Sequence, residues 1–217
     1  MTSLLLTDAA ATARGQWVVG FSLPRSSNDA RLDMYVGMEH RLHVLLERLS
    51  NVLREDLRTV ATAHDLKLVQ LDALQYLVVA NRFSDTLTAL VAFLGSTKGT
   101  ASQTVKALER KGLLVRSQDP DDGRVFHLEL TEEGRRIAER ALPAPALSDI
   151  EAPDTHADNI EALLQQMLAA RGGARFGVCH TCRHHDRRGD QRWCALLKTE
   201  LHESEVSKWC TEHEPAE

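Results

Sequence analysis

The chain has 217 residues, 43% of them apolar and 26% charged, with a formal net charge of -5. That length holds one sizeable core, or one domain with a small appendage, and the composition is that of an ordinary soluble protein. No stretch approaches the roughly 18 apolar residues of a membrane span, and Leu4-Leu5-Leu6 lacks the basic flank and length of a secretory segment, so a cytoplasmic protein without a membrane partner is expected.

Residues 1–32 carry Gly, Pro, Ser and Asn without periodicity and read as an irregular arm, with Trp17, Val18, Val19 and Phe21 as an apolar docking point. From about 33 to 60, Met38, Leu42, Leu45, Leu49, Val52, Leu53, Leu57 and Val60 recur at spacings of three and four. They predict one long amphipathic helix whose stripe needs a partner. A second helix is predicted at about 68–81, and a short third at 85–93 with Asp85 or Thr86 near its N-cap. Gly95 marks a turn, and a fourth helix over 98–111 stops at the C′ glycine Gly112.

Leu113 to Ser117 reads as one strand of a hairpin, and Phe126, Leu128 and Leu130 alternate with Val125, His127 and Glu129 along the other. The turn Asp119-Pro120-Asp121-Asp122-Gly123 leaves Gly123 free to take positive φ. Thr131 caps a further helix with Glu132 and Glu133 at its positive end. Pro143, Pro145 and Pro153 make 143–157 a break or linker, and Ile160, Leu163, Leu164, Met167 and Leu168 predict a last amphipathic helix ending at Gly172-Gly173.

Two short helices joined by a Gly-containing turn and followed by a two-stranded hairpin give the element order of a winged helix. In the fourth helix Ala101, Val105 and Leu108 face the core, which leaves Lys98, Gly99, Ser102, Gln103, Lys106 and Arg110 outward. Small residues at its start (Gly99, Thr100, Ala101, Ser102) allow close approach to a groove, and Gln103 can pair bidentately with an adenine edge. Lys98, Lys106 and Arg116 suit phosphates, and Arg124 at the hairpin tip suits a minor groove. Residues 96–124 hold six bases against four acids, a local +2 in a chain of -5. Charge alone is equally compatible with a solvated helix face; the element order favours DNA.

The runs Leu87–Gly95, Thr100–Leu114, Asp119–Arg124 and Leu130-Thr131-Glu132-Glu133-Gly134 together resemble the MarR family of bacterial regulators, over roughly 35–142 with 157–171 as the final helix. The resemblance implies a triangular homodimer held by its first and last helices, with recognition helices in successive major grooves of a pseudo-palindromic double-stranded operator. It implies Asp122 and Arg124 as the wing pair, and Thr100, Ser102, Gln103 and Lys106 as recognition positions. The proline-rich 143–157 stretch and the C-terminal cysteines depart from the family pattern. The expected domains are the arm 1–32, a first dimerisation helix 33–66, a winged helix-turn-helix 67–142, a linker and last dimerisation helix 143–173, and a cysteine-rich segment 174–217. The fold class is thus mainly α with a small β-hairpin wing and a metal-binding tail.

All four cysteines, Cys179, Cys182, Cys194 and Cys210, fall in the last 39 residues with the spacing C-x2-C-x11-C-x15-C. In a reducing compartment such clustering points to metal or redox chemistry rather than disulfides. Zinc ribbons usually carry two C-x2-C knuckles, whereas one knuckle with two distant thiols can close around a [4Fe-4S] cubane. Trp193, Trp209, Phe176, Val178, Leu196 and Leu197 would shield such a cofactor, and the C-x2-C start with a tryptophan beside the last cysteine loosely resembles high-potential iron–sulfur proteins. Zinc stays open as the alternative, including a Cys3His set drawing on His180, His184, His185, His202 or His213.

The leading expectation is therefore a redox- or iron-responsive repressor in which cluster loss shifts the dimerising helices. The alternatives are a MarR-type regulator with structural zinc and a small-molecule effector, and an electron carrier or enzyme. For the last there is no Gly-rich phosphate loop, nucleophile elbow or H-E-x-x-H, so no enzyme is expected.

Overall fold

The computed structural model describes residues 27–120, 122–172 and 176–216, without the side chains of 27–36 and Glu39. Trp17, Val18, Val19 and Phe21 lie outside the described residues. The chain divides into two compact units, Met1–Glu47 and Arg48–Glu217. The described part of the first is helical, with Met38, Leu42, Val44 and Leu45 all exposed. That helix, α1, runs from Ser27 to Ala63 and so opens inside the stretch expected to be irregular.

In the second unit the winged-helix elements follow in order. Helix α2 spans Leu68–Val79, α3 Leu87–Leu94 and α4 Lys98–Arg110. Local chemistry sets their starts. Thr86 Oγ1 accepts Ala89 N–H at 3.3 Å, and Thr97 Oγ1 accepts Thr100 N–H at 3.2 Å. Helix α3 ends on Gly95 at φ 58°, a left-handed cap that glycine adopts without a Cβ clash. Strands β1 (Leu114–Gln118) and β2 (Phe126–Leu130) pair antiparallel with Leu114 opposite Leu130 and Gln118 opposite Phe126.

The Leu-Thr-x-x-Gly run then acquires a physical reason. Thr131 Oγ1 accepts Gly134 N–H at 3.1 Å to start α5 (Glu132–Arg140), and its hydroxyl donates to Gly112 O at 2.9 Å. A Cβ on residue 134 would sit 2.0 Å from Leu113 O, so the approach of α5 to the end of α4 admits only glycine.

The core is built on α2. Leu71, Leu74 and Tyr76 are fully buried against Leu90, Leu108, Leu114 and Leu128, with Ile137 and Ala138 of α5 closing it. Each such leucine contributes about 2 kcal/mol of apolar burial. Leu128 points inward while Phe126, two residues nearer the tip, is 45% exposed. The expected alternation thus fades where the hairpin projects beyond the core. Gly123 also departs from expectation, because it is not at positive φ. What it supplies is room: a Cβ there would meet Gln118 Nε2 at 2.9 Å, and that amide donates to Gly123 O at 2.6 Å.

The proline-rich stretch contains a short 3-10 turn at Pro145–Leu147, tied to α1 by Ala146 N–H donating to Asp56 Oδ2 at 2.8 Å. Helix α6 begins at Pro153 and runs to Ala170, so proline serves as its first residue rather than extending the break to 157. Ile160, Leu164 and Met167 remain exposed on it.

The cysteine segment is a small β module. Strands β3 (Gly177–Val178) and β7 (Trp209–Cys210) pair with each other, and β4 (His185–Arg188), β5 (Gln191–Cys194) and β6 (Thr199–Leu201) form a second antiparallel sheet in that order. The module is no detached tail. Phe176 is 5% exposed within the winged-helix core, with its ring edge-on to Phe93 at 5.6 Å and to Tyr76 at 6.2 Å. No helix among the described residues is long and apolar enough to cross a membrane.

Candidate nucleic-acid interface and four-thiol site

Helix α4 presents the face its periodicity predicted. Ala101, Thr104, Val105 and Leu108 are buried, and Lys98, Thr100, Gln103, Lys106 and Arg110 are exposed, with Ser102 half-buried. A cleft of about 280 Å³ between α4 and the hairpin gathers Lys98, Ser102, Arg116 and Arg124. Gln103 and Lys106 line a separate shallow depression with Glu109 and Arg110. The Thr100 hydroxyl lies 3.0 Å from Thr97 Oγ1 in the capping turn. Arg116 donates to Glu109 Oε1 at 2.7 Å, which aims its guanidinium along α4.

The wing pair is a rigid fork. Arg124 Nε and NH2 donate to Asp122 Oδ1 and Oδ2 at 3.0 and 3.1 Å, and Asp122 Oδ1 also accepts Arg124 N–H at 3.0 Å. These hydrogen bonds hold the Asp122 carboxyl below the usual carboxylate range. Arg124 itself stays 91% exposed, so the fork orients a cation that solvent or a phosphate can still reach.

Within the wing His127 bridges two carboxylates, with Nδ1 2.6 Å from Asp85 Oδ1 and Nε2 2.9 Å from Asp119 Oδ2. The Asp119 and Asp85 hydrogen bonds raise the imidazole pKa. Burial raises Asp85, with the His127 hydrogen bond opposing it. The doubly bridged imidazole points to a protonated His127, since both ring nitrogens then donate.

The four cysteines line a single narrow cavity. All four are free thiols; Cys179 and Cys210 are buried, and Cys182 and Cys194 half-buried. Backbone N–H groups aim at two of the sulfurs, Leu197 N–H at Cys194 and Glu214 N–H at Cys182, each at 3.5 Å. Burial, followed by the nearby Cys210, Cys194 and Cys182, pushes the Cys179 thiol up to about 12. A cationic occupant would reverse that repulsion and favour thiolates.

His184 and His185 also line the cavity, and the Nε2 atom of each is buried without a hydrogen bond, although Glu214 Oε1 lies 3.4 Å from that of His184. Burial, then Arg192, holds His185 below the ordinary imidazole range. Among the described residues no group of three or more His, Cys, Asp or Glu is disposed to hold one metal ion.

The expected apolar shell divides. Leu196 and Leu197 line the cavity, but Phe176 and Trp209 serve the winged-helix core, and Trp193 lies under the Arg188 guanidinium at 4.3 Å. The rest of the wall comes from Asn81 and Phe83 on the α2–α3 loop, from Leu201 and from Glu212. Nothing in the spacing of the cysteines points to residues some hundred positions upstream, so these two escaped the sequence reading. His127 escaped it as well, having been read only as one position of an alternating strand.

Residues 64–125 match the model of the MarR family. No curated protein matches the chain. Among solved structures, CouR from Rhodococcus jostii RHA1 bound to p-coumaroyl-CoA is 25% identical, over 58% of this chain and 90% of that one, at a TM-score of 0.49. The S. aureus MepR–DNA complex is 22% identical over 59% and 96%, at 0.45. BldR from Sulfolobus solfataricus is 19% identical over 65% and 99%, at 0.48.

Proposed function

We propose that this chain, a MarR-type DNA-binding transcription regulator by its winged helix at 64–125, acts as a homodimeric repressor whose four C-terminal thiols hold a [4Fe-4S] cluster. The observation that carries the DNA reading is the exposed face of α4 beside the Asp122–Arg124 fork, within the matched segment. Gln103 would read a base edge from it, Lys98, Lys106 and Arg116 would take phosphates, and Arg124 would enter a minor groove. Two such helices on a two-fold would meet grooves about 34 Å apart. Dimerisation is supported by large apolar residues exposed among the described residues, Leu45 and Leu49 on α1 and Ile160 and Leu164 on α6.

For the thiol site the support is convergence. Cys179 and Cys182 from one tight turn, Cys194 from β5 and Cys210 from β7 meet at one cavity, with amides aimed at two sulfurs. A cubane asks for four thiolates around a volume rather than at a point, and His185 lines the same cavity with its Nε2 buried and without a hydrogen bond. When bound, the cluster would supply a group that oxidants or iron shortage can alter. The residues of the chain would hold it, exclude water through Phe83, Leu196 and Leu197, and present Cys182 and Cys194, the half-buried pair, to whatever attacks.

The test is anaerobic purification with iron, acid-labile sulfide and zinc analysis and a visible spectrum, followed by DNA titration at several salt concentrations. About four irons and four sulfides per chain, with absorption near 400 nm, support the cluster. One zinc in a colourless protein replaces it by a structural ion. DNA retention that does not fall with salt would overturn the nucleic-acid reading.

A further inference from the structure

We infer that the segment Ala80–Thr86, between α2 and α3, couples the four-thiol site to the wing. The inference rests on the proposed reading only in requiring that the thiol site take an occupant. Trp209, just before Cys210, accepts Asn81 N–H at 3.0 Å through its carbonyl and forms a parallel bridge with Ala80. Thr211, just after it, donates its N–H to Ser84 Oγ at 2.9 Å. The fourth thiol is thus clamped on both sides by one short stretch of the winged helix, whose Asn81 and Phe83 also form the cavity wall.

The other end of the same stretch holds the wing. Asp85 O accepts Leu128 N–H at 2.7 Å, Asp85 Oδ1 meets His127 Nδ1 at 2.6 Å, and Thr86 bridges His127. Thr86 is also the N-cap of α3. The seven residues Ala80–Thr86 therefore touch the neighbours of Cys210 at one end and β2, the strand that follows Arg124, at the other.

The segment is stiff enough to carry a displacement. Asn81 and Ser84 are 2% and 0% exposed, and Ser84 N–H donates to Asn81 O at 3.0 Å. Phe83 N–H donates to Asn81 Oδ1 at 3.2 Å, and Tyr76 OH donates to Ser84 O at 2.6 Å from the core. Arg82 pins its outer side, with NH1 3.1 Å from Glu205 Oε2 and NH2 donating to Glu200 O at 2.5 Å. A shift of Cys210 on gain or loss of an occupant moves Trp209 and Thr211, and with them the loop and the seat of His127 and Leu128. This route stays within one chain. Coupling of this kind is reciprocal, so bound DNA must change the equilibrium affinity of the site for its occupant by the same factor.

The experiment compares operator affinity of the full-length protein with the site loaded by iron and sulfide and with the site stripped, at one fixed salt concentration, in wild type, Ser84→Ala and Arg82→Ala. Wild type should show a ratio on the order of 5- to 150-fold. In the variants the ratio should fall toward one while the loaded spectrum and the affinity of the stripped form stay those of wild type. A wild-type ratio of one, or an undiminished ratio in both variants, overturns the inference. Arg82 is part-exposed, so its variant guards against a Ser84 variant that does not fold. If iron and sulfide give no chromophore, the cluster reading fails by itself. The coupling is then read by amide hydrogen exchange at Leu128, with the thiols loaded by zinc or alkylated against free. A change of protection in wild type that both variants lack supports the coupling, and no change in wild type overturns it.

Discussion

Asp85 and His127 meet at 2.6 Å, Oδ1 to Nδ1, and join the start of α3 to the middle of the wing. Asp119 closes the opposite side of the ring at 2.9 Å, so the imidazole fastens the hairpin both to the helix-turn-helix and to its own turn. His127 is raised above its ordinary pKa by the two carboxylates. Its contribution to stability should be fully present below about pH 6.5 and lost as pH climbs through the raised folded value. Thermal melts of wild type and His127→Gln between pH 5.5 and 8.5 check this. The gap should be about 1–2 kcal/mol at the acid end and narrow toward the alkaline end; a gap that widens with pH would contradict the bridge.

Asp122 orients Arg124 through two side-chain hydrogen bonds. Arg124→Ala and Lys106→Ala should each weaken operator binding and flatten the log affinity against log salt slope by about 0.9 per lost phosphate contact. Asp122→Ala keeps the cation but frees its rotamers. It should weaken binding with little change of slope, and titrations over four salt concentrations separate the two behaviours.

Gln103 is exposed on α4. Gln103→Ala should reduce discrimination against single base changes in the operator, by about 1–3 kcal/mol at one position, and leave non-specific DNA affinity intact. Competition binding with a set of single-base operator variants measures it.

The contact of Gly134 with Leu113 O leaves no room for a side chain. Gly134→Ala should therefore destabilise the protein by about 3 kcal/mol despite the better helix propensity of alanine. Denaturant unfolding reads the loss as a lower midpoint at similar slope.

Leu49 on α1 and Ile160 on α6 are 50% and 52% exposed. Charges at these positions (Leu49→Glu with Ile160→Glu) should move sedimentation from dimer to monomer at micromolar concentration and cost operator affinity, with the secondary structure by circular dichroism retained. A wild type that sediments as a monomer would remove the dimer from the proposal.

Much of the winged helix was legible in the sequence because its signals are local. The apolar spacing of Ala101, Val105 and Leu108 sets the α4 face, and Thr86 and Thr131 cap helices with their own hydroxyls. Asp122 and Arg124 were paired by the family resemblance rather than by spacing, and their hydrogen bonds join residues only two positions apart. The thiol cluster was visible as four cysteines in 39 residues, but only as a count and a spacing.

The walls of the thiol site were decided by tertiary structure alone. Phe176 looked like a shield for a cofactor and instead fills the space between Tyr76 and Phe93, because an apolar ring goes wherever the core leaves a gap of its size. Asn81 and Phe83 looked like an unremarked loop and instead close the cavity, because Trp209 and Thr211 supply the hydrogen bonds their backbone and neighbours need. Period and capping are written into residues a few positions apart. The partner of a buried polar group or the filler of a gap can come from anywhere in the chain, and only the packed structure selects it.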